Sequence, residues 1–268
     1  MKVLTNIPDP LLIHGVASLL VRALATDPGE VFLVSPWLRN VRLPIADVGS
    51  FRAALGGDLD EIPLADLLER VAHRHSLYLI TKPPAELVNI QLLRRIMDKQ
   101  TARRRIVEHA DLAGLDLVDE LTSDIDNDVR ELALSAANHV ETLRIVHRVC
   151  AAGARVAFLD RLHAKLLWTP QGVLVGSANF TNGGLGSNDE LMLEVTDSAT
   201  HTALLATIRL MGSRAVTSEN YRLVREIAAV GLSPNDLLTR ALEPRPEDPP
   251  PLTNVLALIA PFLHGAAR

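Results

Sequence analysis

Hydrophobic residues follow helical spacing in some segments of this chain and strand spacing in others, and the two kinds of segment alternate. Apolar positions at helical spacing predict helices at about residues 10–25, 64–75, 84–99 and beyond, 140–152 and 199–211. Short apolar runs predict four strands, at residues 31–36, 77–81, 155–159 and 191–196. Helix followed by strand, repeated along the chain, predicts an α/β fold with a layered sheet flanked by helices.

Two further apolar runs, residues 163–169 and 173–179, are joined by a turn and carry polar side chains at every second position. Because residues two apart on a strand share a face, the polar side chains of each run point the same way. The four polar residues are His163, Lys165, Ser177 and Asn179.

The turn decides whether the two polar pairs meet. We predict a three-residue hairpin loop, Pro170-Gln171-Gly172, with glycine at the position where a left-handed residue is favoured. This loop pairs Thr169 with Val173, whereas a two-residue loop would place Ser177 opposite Ala164 on the other face. With the three-residue loop, all four polar side chains converge.

Imidazole, ammonium, hydroxyl and amide groups together suit the chemistry of a phosphodiester. The imidazole is a nucleophile for phosphorus, and the other three groups donate hydrogen bonds to the non-bridging oxygens. Each residue alone has an ordinary structural explanation, such as a satisfied histidine at a strand edge. The combination predicts a phosphate-handling site.

The runs His163-Ala-Lys165, Gly176-Ser-Ala-Asn-Phe-Thr181 and Asn188-Asp-Glu190 resemble the signature of the phospholipase D superfamily, including its nuclease branch. The segments 31–37 and 76–81 resemble the first two core strands of that family, so the resemblance covers about residues 15–200. It implies a phospholipase D-like layered mixed β-sheet flanked by helices.

The resemblance also implies roles for the residues. His163 attacks phosphorus to form a phosphohistidine, with no metal and no cofactor required. Lys165, Ser177 and Asn179 hold phosphate oxygens, and Asn188 is counted with the substrate-binding residues. Glu190, eleven positions after Asn179, orients the histidine. In one respect the chain departs from the family, because Pro170 stands where the pattern has an aspartate that mainly supports the turn.

The chain has a single His-x-Lys motif, since none of its other eight histidines has a lysine two residues on. Family members with two motifs use one histidine as nucleophile and the other as acid for the leaving oxygen. A twofold axis through the site would supply the second histidine, so we predict a homodimer with one composite active site.

Composition adds little to this interpretation. The net charge is −5 and the pI about 6.0, so no global positive charge indicates nucleic acid. A local basic lining, formed by Lys165, Arg161 and Arg155 of both chains, would suffice. The single cysteine, Cys150, is interpreted as a buried thiol and suits a reducing cytoplasm. The apolar run 11–21 predicts an amphipathic helix, and we predict no membrane association.

Residues 100–140 are predicted to form a helical insertion between core elements. Arg103 to Arg105 fit a solvated helix face better than a nucleic-acid contact. The spacing of Asp124, Asp126 and Asp128 lacks the glycine and distal glutamate of a calcium loop. A helix N-cap at Asp126 or Asn127 is the simpler interpretation.

The domain organisation follows from these elements. Residues 1–212 are predicted to form the phospholipase D-like catalytic domain, and 213–243 a helical extension. The segment 244–251 contains five prolines and is predicted to be an extended linker. Residues 252–268 are predicted to form a short helix that docks on the body, a second chain or a partner protein.

The leading hypothesis is a metal-independent, nuclease-like phosphodiesterase acting on nucleic acid. One alternative is a weak or inactive nucleic-acid-binding subunit of a complex, which Pro170 and the acidic charge favour. A lipid phosphodiesterase fits less well, because such members usually carry two motifs and often a membrane anchor. Single-motif relatives also occur with phage-defence and DNA-modification systems, which is an association only.

Overall fold

The structure, a computed structural model, describes residues 1–45, 55, 59–83, 90–109, 112–218 and 220. The chain divides into two compact units. The first comprises residues 1–83 and 145–218, and the second comprises residues 84–144 and 219–268. The candidate site lies in the first unit.

The first unit contains a sheet of eight strands. In chain order the strands are β1 (Lys2–Thr5), β2 (Glu30–Val34), β5 (Ser76–Thr81), β6 (Arg155–Phe158), β7 (Lys165–Thr169), β8 (Gly172–Gly176), β9 (Leu191–Val195) and β10 (Val216–Thr217). Their order across the sheet is β1-β9-β8-β7-β2-β5-β6-β10. A separate small hairpin pairs β3 (Arg42–Pro44) with β4 (Glu61–Pro63).

The central strands β2, β5 and β6 are parallel, and the strands that flank them pair antiparallel. Parallel strands need a crossover connection, which usually contains a helix. The helices of this unit are α1 (Leu11–Leu24), α2 (Leu64–Arg74) and α5 (Ser198–Arg214). The sheet is therefore mixed and flanked by helices, which confirms the predicted α/β class.

Helices cover both faces of the sheet. Val173 packs in an apolar cluster with Trp168 and with Ile208 of α5. Its neighbour Leu174 points the opposite way, towards α1, where a Cβ added at Gly15 would lie 3.8 Å from its side chain. Because both faces are covered, β7 is buried along its whole length.

The sequence of α2 places apolar residues on the side of the helix that is buried. Its buried apolar residues recur at helical spacing: Leu64, Leu67, Leu68 and Val71. On its exposed side, Arg148 donates hydrogen bonds of 2.7–2.8 Å to the carboxylates of Asp66 and Glu69. The ion pair fastens α2 to the end of the helix that precedes β6.

The second unit is described through two helices, α3 (Ile90–His109) and α4 (Leu112–Ala151), the second of which extends into the first unit. The predicted N-cap at Asp126 or Asn127 is wrong, because α4 runs through both residues without a break. Lys99 pairs with Asp124 and Asp128 at 3.0 Å, and these hydrogen bonds raise the pKa of Lys99. Asp124 and Asp128 are thus ion-pair partners of Lys99 within the second unit.

The predicted helix 140–152 is the last part of the longer α4, so its predicted start is wrong and its predicted end is right to within one residue. Helix α4 ends before Gly153, whose φ of 97° is the left-handed conformation expected after a helix. The half-buried Cys150 lies in its last turn. The predicted extension beyond residue 220, the linker 244–251 and the segment 252–268 lie outside the described residues. Within the described ranges, no helix has both the length and the apolar character that crossing a membrane requires.

Candidate functional site

The candidate site lies at the end of the sheet where the parallel strands β2, β5 and β6 finish. His163 lies in the loop between β6 and β7, outside any strand, and it is exposed. The loop begins with a turn in which the Leu162 amide donates to the Leu159 carbonyl at 3.3 Å. Leu162 is buried, so the next residue is held at the surface.

The prediction that His163 and Lys165 share one strand face is therefore wrong in detail. The ladder of β7 begins only at Lys165, because the preceding turn places Arg161 at a φ of 57° and directs the chain away from its neighbours. The two side chains still meet. The Lys165 ammonium nitrogen lies 3.1 Å from Nδ1 and 3.3 Å from Nε2 of His163.

Lys165 is almost completely buried, with 4% of its surface exposed. Burial is the main cause that lowers its pKa, and the positive charge of Lys82 lowers it further, while the negative charge of Glu190 opposes both. A buried ammonium with one imidazole neighbour is poorly compensated. An anion that reached His163 would therefore gain a strong electrostatic partner.

The hairpin loop differs from the prediction. Thr169 pairs with Gly172, so the loop is the two residues Pro170 and Gln171. The Thr169 hydroxyl stabilises this tighter turn, because it donates to the Gly172 carbonyl and accepts from the Gln171 amide, both at 3.2 Å. The sequence pattern alone gave no indication of these two bonds.

Ser177 nevertheless reaches the site, because β8 ends at Gly176 and the chain turns towards β9. The Ser177 amide donates to the Leu191 carbonyl at 3.0 Å, and the Leu191 amide donates to the Ser177 hydroxyl at 3.1 Å. A Cβ at Gly176 would overlap the Leu191 carbonyl and lie 2.7 Å from the Met192 Cα. Glycine is therefore required for this close approach.

The Ser177 hydroxyl donates a hydrogen bond to the Glu190 carboxylate. Glu190 also attracts Lys165 electrostatically. The structure thus brings His163, Lys165, Ser177 and Glu190 into one cluster. The family resemblance pairs Glu190 with the histidine, whereas here its hydrogen bond is to Ser177, and the hydrogen bonds described for His163 go to Lys165.

Asn179 follows two residues after Ser177 and is half-buried. Its Oδ1 atom is enclosed and has no hydrogen-bond partner among the described residues. The backbone around it is tight, because the Thr181 amide donates to its carbonyl at 2.8 Å and a Cβ at Gly184 would lie 2.8 Å from its nitrogen. The backbone of Asn179 is thus closely surrounded by Thr181 and Gly184.

Asn188 is exposed and precedes β9. Its amide donates to the Gly183 carbonyl at 2.8 Å, and its own carbonyl accepts from the Asn6 side chain at 3.0 Å. The same Asn6 amide group donates to the Gly184 carbonyl at 3.1 Å. In the part of the chain that is described, the contacts of Asn188 are with this loop rather than with His163 or Lys165.

Two residues near the site were missed by the sequence analysis. Lys82 follows β5, and its ammonium lies 5.2 Å from the ring centroid of Trp37, which follows β2. Their position directly after two buried strands was the available signal, because residues at the carboxyl ends of parallel strands meet at one edge of the sheet.

Arg155, which was expected to contribute to a basic lining, lies elsewhere. It begins β6, whereas the His163 loop follows the end of that strand. Its guanidinium donates to the Tyr78 hydroxyl at 3.0 Å and lies 5.3 Å from the Tyr78 ring centroid. Arg161 lies in the His163 loop itself and is exposed.

The cluster offers a nucleophilic imidazole, a buried cation, a hydroxyl donor and a carboxylate. Among the described residues, no group of three or more histidine, cysteine, aspartate and glutamate side chains is arranged to hold a metal ion. What the cluster can bind through its own side chains is an anion with a reactive centre next to His163.

Comparison with known proteins gives one match at the level of families. Residues 94–211 match the family model described as "Cardiolipin synthase, PLD-like domain". No curated protein sequence matches the chain.

Two solved structures are similar to the chain at low identity. NucT from Helicobacter pylori is 11% identical, with a TM-score of 0.40, over 81% of this chain and 97% of that one. Nuc from Salmonella typhimurium, a phospholipase D family member, is 10% identical, with a TM-score of 0.39, over 81% of this chain and 95% of that one.

Proposed function

We propose that the chain is a member of the phospholipase D superfamily, whose PLD-like model matches residues 94–211, and that it is a metal-independent phosphodiesterase that cleaves nucleic acid. The observation that carries this proposal is the contact between the buried Lys165 ammonium and the exposed His163 imidazole. It supplies a nucleophile and a cation to the same phosphoryl group.

In the proposed reaction, a nitrogen of His163 attacks phosphorus. A P–N bond forms and the P–O bond to one ester oxygen breaks, giving a phosphohistidine and an alcohol leaving group. Water then attacks phosphorus, breaks the P–N bond and releases the phosphomonoester. Lys165 stabilises the negative charge on the non-bridging oxygens in both steps.

When substrate binds, the Ser177 hydroxyl changes its hydrogen-bond acceptor. The Ser177 hydroxyl has one hydrogen and donates it to Glu190 in the structure. If Ser177 donates to a phosphoryl oxygen instead, its hydrogen bond to Glu190 is released. The freed carboxylate then becomes available to orient the His163 imidazole, as the family resemblance implies. Asn179 and Asn188 complete the proposed phosphate-binding set, as the family resemblance implies, and their side-chain NH2 groups would donate to phosphate oxygens.

The leaving oxygen needs a proton, and the chain has one His-x-Lys motif. We propose that a homodimer supplies it, with His163 of the partner subunit as the acid. The dimer, the cytoplasmic location and protein partners bound through residues 252–268 are parts of this proposal. The association with phage-defence or DNA-modification systems is tested by the genes that neighbour its own.

The turn favours a catalyst over the alternative of a binding subunit that has lost activity. Pro170 replaces the aspartate that supports the turn in the family, but the Thr169 hydroxyl holds the same turn through two hydrogen bonds. The substitution therefore leaves the position of Lys165 supported.

The proposal is tested by incubating the purified protein in EDTA with labelled single-stranded DNA, double-stranded DNA and RNA. We expect cleavage of at least one polymer, and loss of cleavage in His163→Ala. The matched control is His73→Ala, which removes an exposed histidine from α2. A phosphohistidine trapped by denaturation at alkaline pH, where its P–N bond is stable, would identify the intermediate.

Absence of cleavage, with binding retained by the wild type and by His163→Ala, would overturn the enzymatic proposal and support a binding subunit. Cleavage of phosphatidylglycerol vesicles without cleavage of any nucleic acid would overturn the substrate class.

A further inference from the structure

Trp37 and Lys82 occupy equivalent places at the ends of two neighbouring parallel strands. Strands β2 and β5 pair in register up to Val34 and Ile80. Trp37 lies three residues beyond the first strand, and Lys82 one residue beyond the second. The two side chains are in contact, with the ammonium 5.2 Å from the indole centroid.

The segment that carries Trp37 is fixed next to the phosphate-binding loop. Leu38 forms a parallel bridge with Phe180, and the Arg39 amide donates to the Phe180 carbonyl at 2.8 Å. On the other side of Trp37 along the chain, the Ser35 hydroxyl donates to the Trp37 backbone carbonyl at 2.7 Å. Trp37 is therefore held on a rigid backbone.

The bridge between Leu38 and Phe180 also sets the direction in which the side chains of Trp37 and Asn179 point. Leu38 and Phe180 are fully buried, with 0% of their surfaces exposed. Because side chains alternate along extended backbone, Trp37 and Asn179 point to the opposite side, and both are half-buried. The indole therefore lies beside an amide that is already assigned to the phosphate-binding set.

Lys82 adds a second positive charge to the site, near Lys165. It is close enough to Lys165 for the two charges to repel each other. Strand β2, which leads to Trp37, lies between β7, which begins at Lys165, and β5, which leads to Lys82.

We propose that Trp37 and Lys82 form a nucleoside subsite beside the scissile phosphate. In this subsite the indole stacks on one nucleobase and Lys82 contacts the adjoining phosphate. The inference rests on the proposed function and specifies its substrate class. Polynucleotides present a flat base and a phosphate at every residue, which suits an aromatic ring next to a cation.

A lipid headgroup suits these two residues less well. An aromatic ring can bind a quaternary ammonium group through its face. In this chain a lysine already lies over the ring and a second lysine lies nearby, so a cationic headgroup would be repelled. The pair therefore favours a base with its phosphate over a choline-type lipid.

Tryptophan fluorescence tests the subsite directly, because the chain has two tryptophans. Trp168 is buried in the core, so Trp168→Phe leaves Trp37 as the reporter. The probes are a short single-stranded oligonucleotide and the same oligonucleotide with abasic residues throughout. We expect the intact oligonucleotide to quench the fluorescence and the abasic one to leave it nearly unchanged.

Binding of labelled oligonucleotides, measured in the His163→Ala background, gives a second test that needs no cleavage. We expect Trp37→Ala to weaken binding of the intact oligonucleotide about ten-fold or more and to leave binding of the abasic one unchanged. Trp37→Phe should restore most of the loss. Lys82→Gln should weaken both oligonucleotides and reduce the salt dependence of binding.

Equal losses for both oligonucleotides in Trp37→Ala, or quenching by phosphatidylglycerol vesicles but not by DNA or RNA, would overturn the subsite. Discrimination between the oligonucleotides by a wild-type protein that cleaves neither would support the subsite while overturning the proposed activity. Failure of the subsite and failure of the proposed activity therefore give different results.

Discussion

The Lys165 ammonium nitrogen lies 3.1 Å from Nδ1 of His163, although the lysine is buried and the histidine is exposed. Burial destabilises the Lys165 ammonium, the negative charge of Glu190 offsets part of this cost, and the positive charge of Lys82 adds to it. The position of Lys165 is thus unfavourable for the folded protein until an anion binds.

Replacement of Lys165 should therefore raise the stability of the protein and lower its activity. We expect Lys165→Met to lower the cleavage rate by about 100-fold or more while it raises the free energy of unfolding at pH 7 by about 1 kcal/mol. Urea denaturation and initial rates measure the two effects. Lys2→Met, at an exposed lysine in β1, should change neither by a comparable amount.

The pH dependence of this stability difference has a definite sign. The pKa of Lys165 is lowered in the folded protein, so the cost of burying the charged lysine is fully present below that folded pKa. It disappears as the pH rises through the folded pKa towards the unfolded value of 10.5. Wild type and Lys165→Met should therefore approach equal stability at alkaline pH, and a constant difference would contradict this explanation.

The close approach of Gly176 to β9 predicts a second variant. Gly176→Ala should push the Leu191 carbonyl away and so displace Ser177, whose amide and hydroxyl are both bonded to Leu191. We expect activity to fall at least ten-fold and the free energy of unfolding to drop by about 1–3 kcal/mol. Gly186→Ala is the control, because a Cβ there meets nothing within 4 Å. Equal effects of the two substitutions would argue against the steric explanation.

The Thr169 hydroxyl is expected to hold the hairpin turn. Thr169→Val preserves the shape and removes two buried hydrogen bonds, so we expect a loss of about 1–3 kcal/mol in the free energy of unfolding. Thr169→Ser should retain most of the stability. Thr202→Val, which alters an exposed hydroxyl on α5, serves as the control in the same denaturation series.

His75 should make the protein less stable in mild acid. Its ring is buried, donates from Nε2 to the Ala23 carbonyl at 2.9 Å and accepts at Nδ1 from the Gly29 amide at 3.0 Å. Burial is the main cause that lowers its pKa from 6.5, and the charge of Arg74 adds to it. The neutral ring therefore contributes stability that is fully present above pH 6.5 and is lost as the pH falls from there towards the folded-state pKa.

Denaturation between pH 8 and pH 5 measures this effect. We expect a decrease of up to about 1.4 kcal/mol per pH unit below pH 6.5 from this residue, and a smaller pH dependence in His75→Gln. His73→Gln, at an exposed position in the last turn of α2, which ends just before His75, should retain the wild-type slope. If the slope of His75→Gln matched that of the wild type, another group would be responsible.

Local patterns predicted the elements but not the details of the site. The strand 77–81 and the helix 64–75 were identified closely, because apolar periodicity reflects burial on a sheet or helix face. The register of the β7–β8 hairpin depended on the Thr169 hydroxyl, and the position of His163 on the left-handed conformation of Arg161. Neither the hydrogen bonds of Thr169 nor the conformation of Arg161 changes the apolar pattern of the sequence. Trp37 and Lys82 were missed because they meet only through the pairing of β2 with β5.

The two hydrogen bonds of Asn6 determine when the site can be completed during synthesis. Its side-chain amide spans 178 residues to Gly184 and 182 residues to Asn188, and β1 pairs with β9 in the same region. A ribosome must therefore release the chain past β9 before its first strand finds a partner. Contacts so distant in sequence close slowly. The newly made chain consequently keeps β1 unpaired until β9 has been synthesised, and the loop that carries Gly184 and Asn188 is fixed to Asn6 only then.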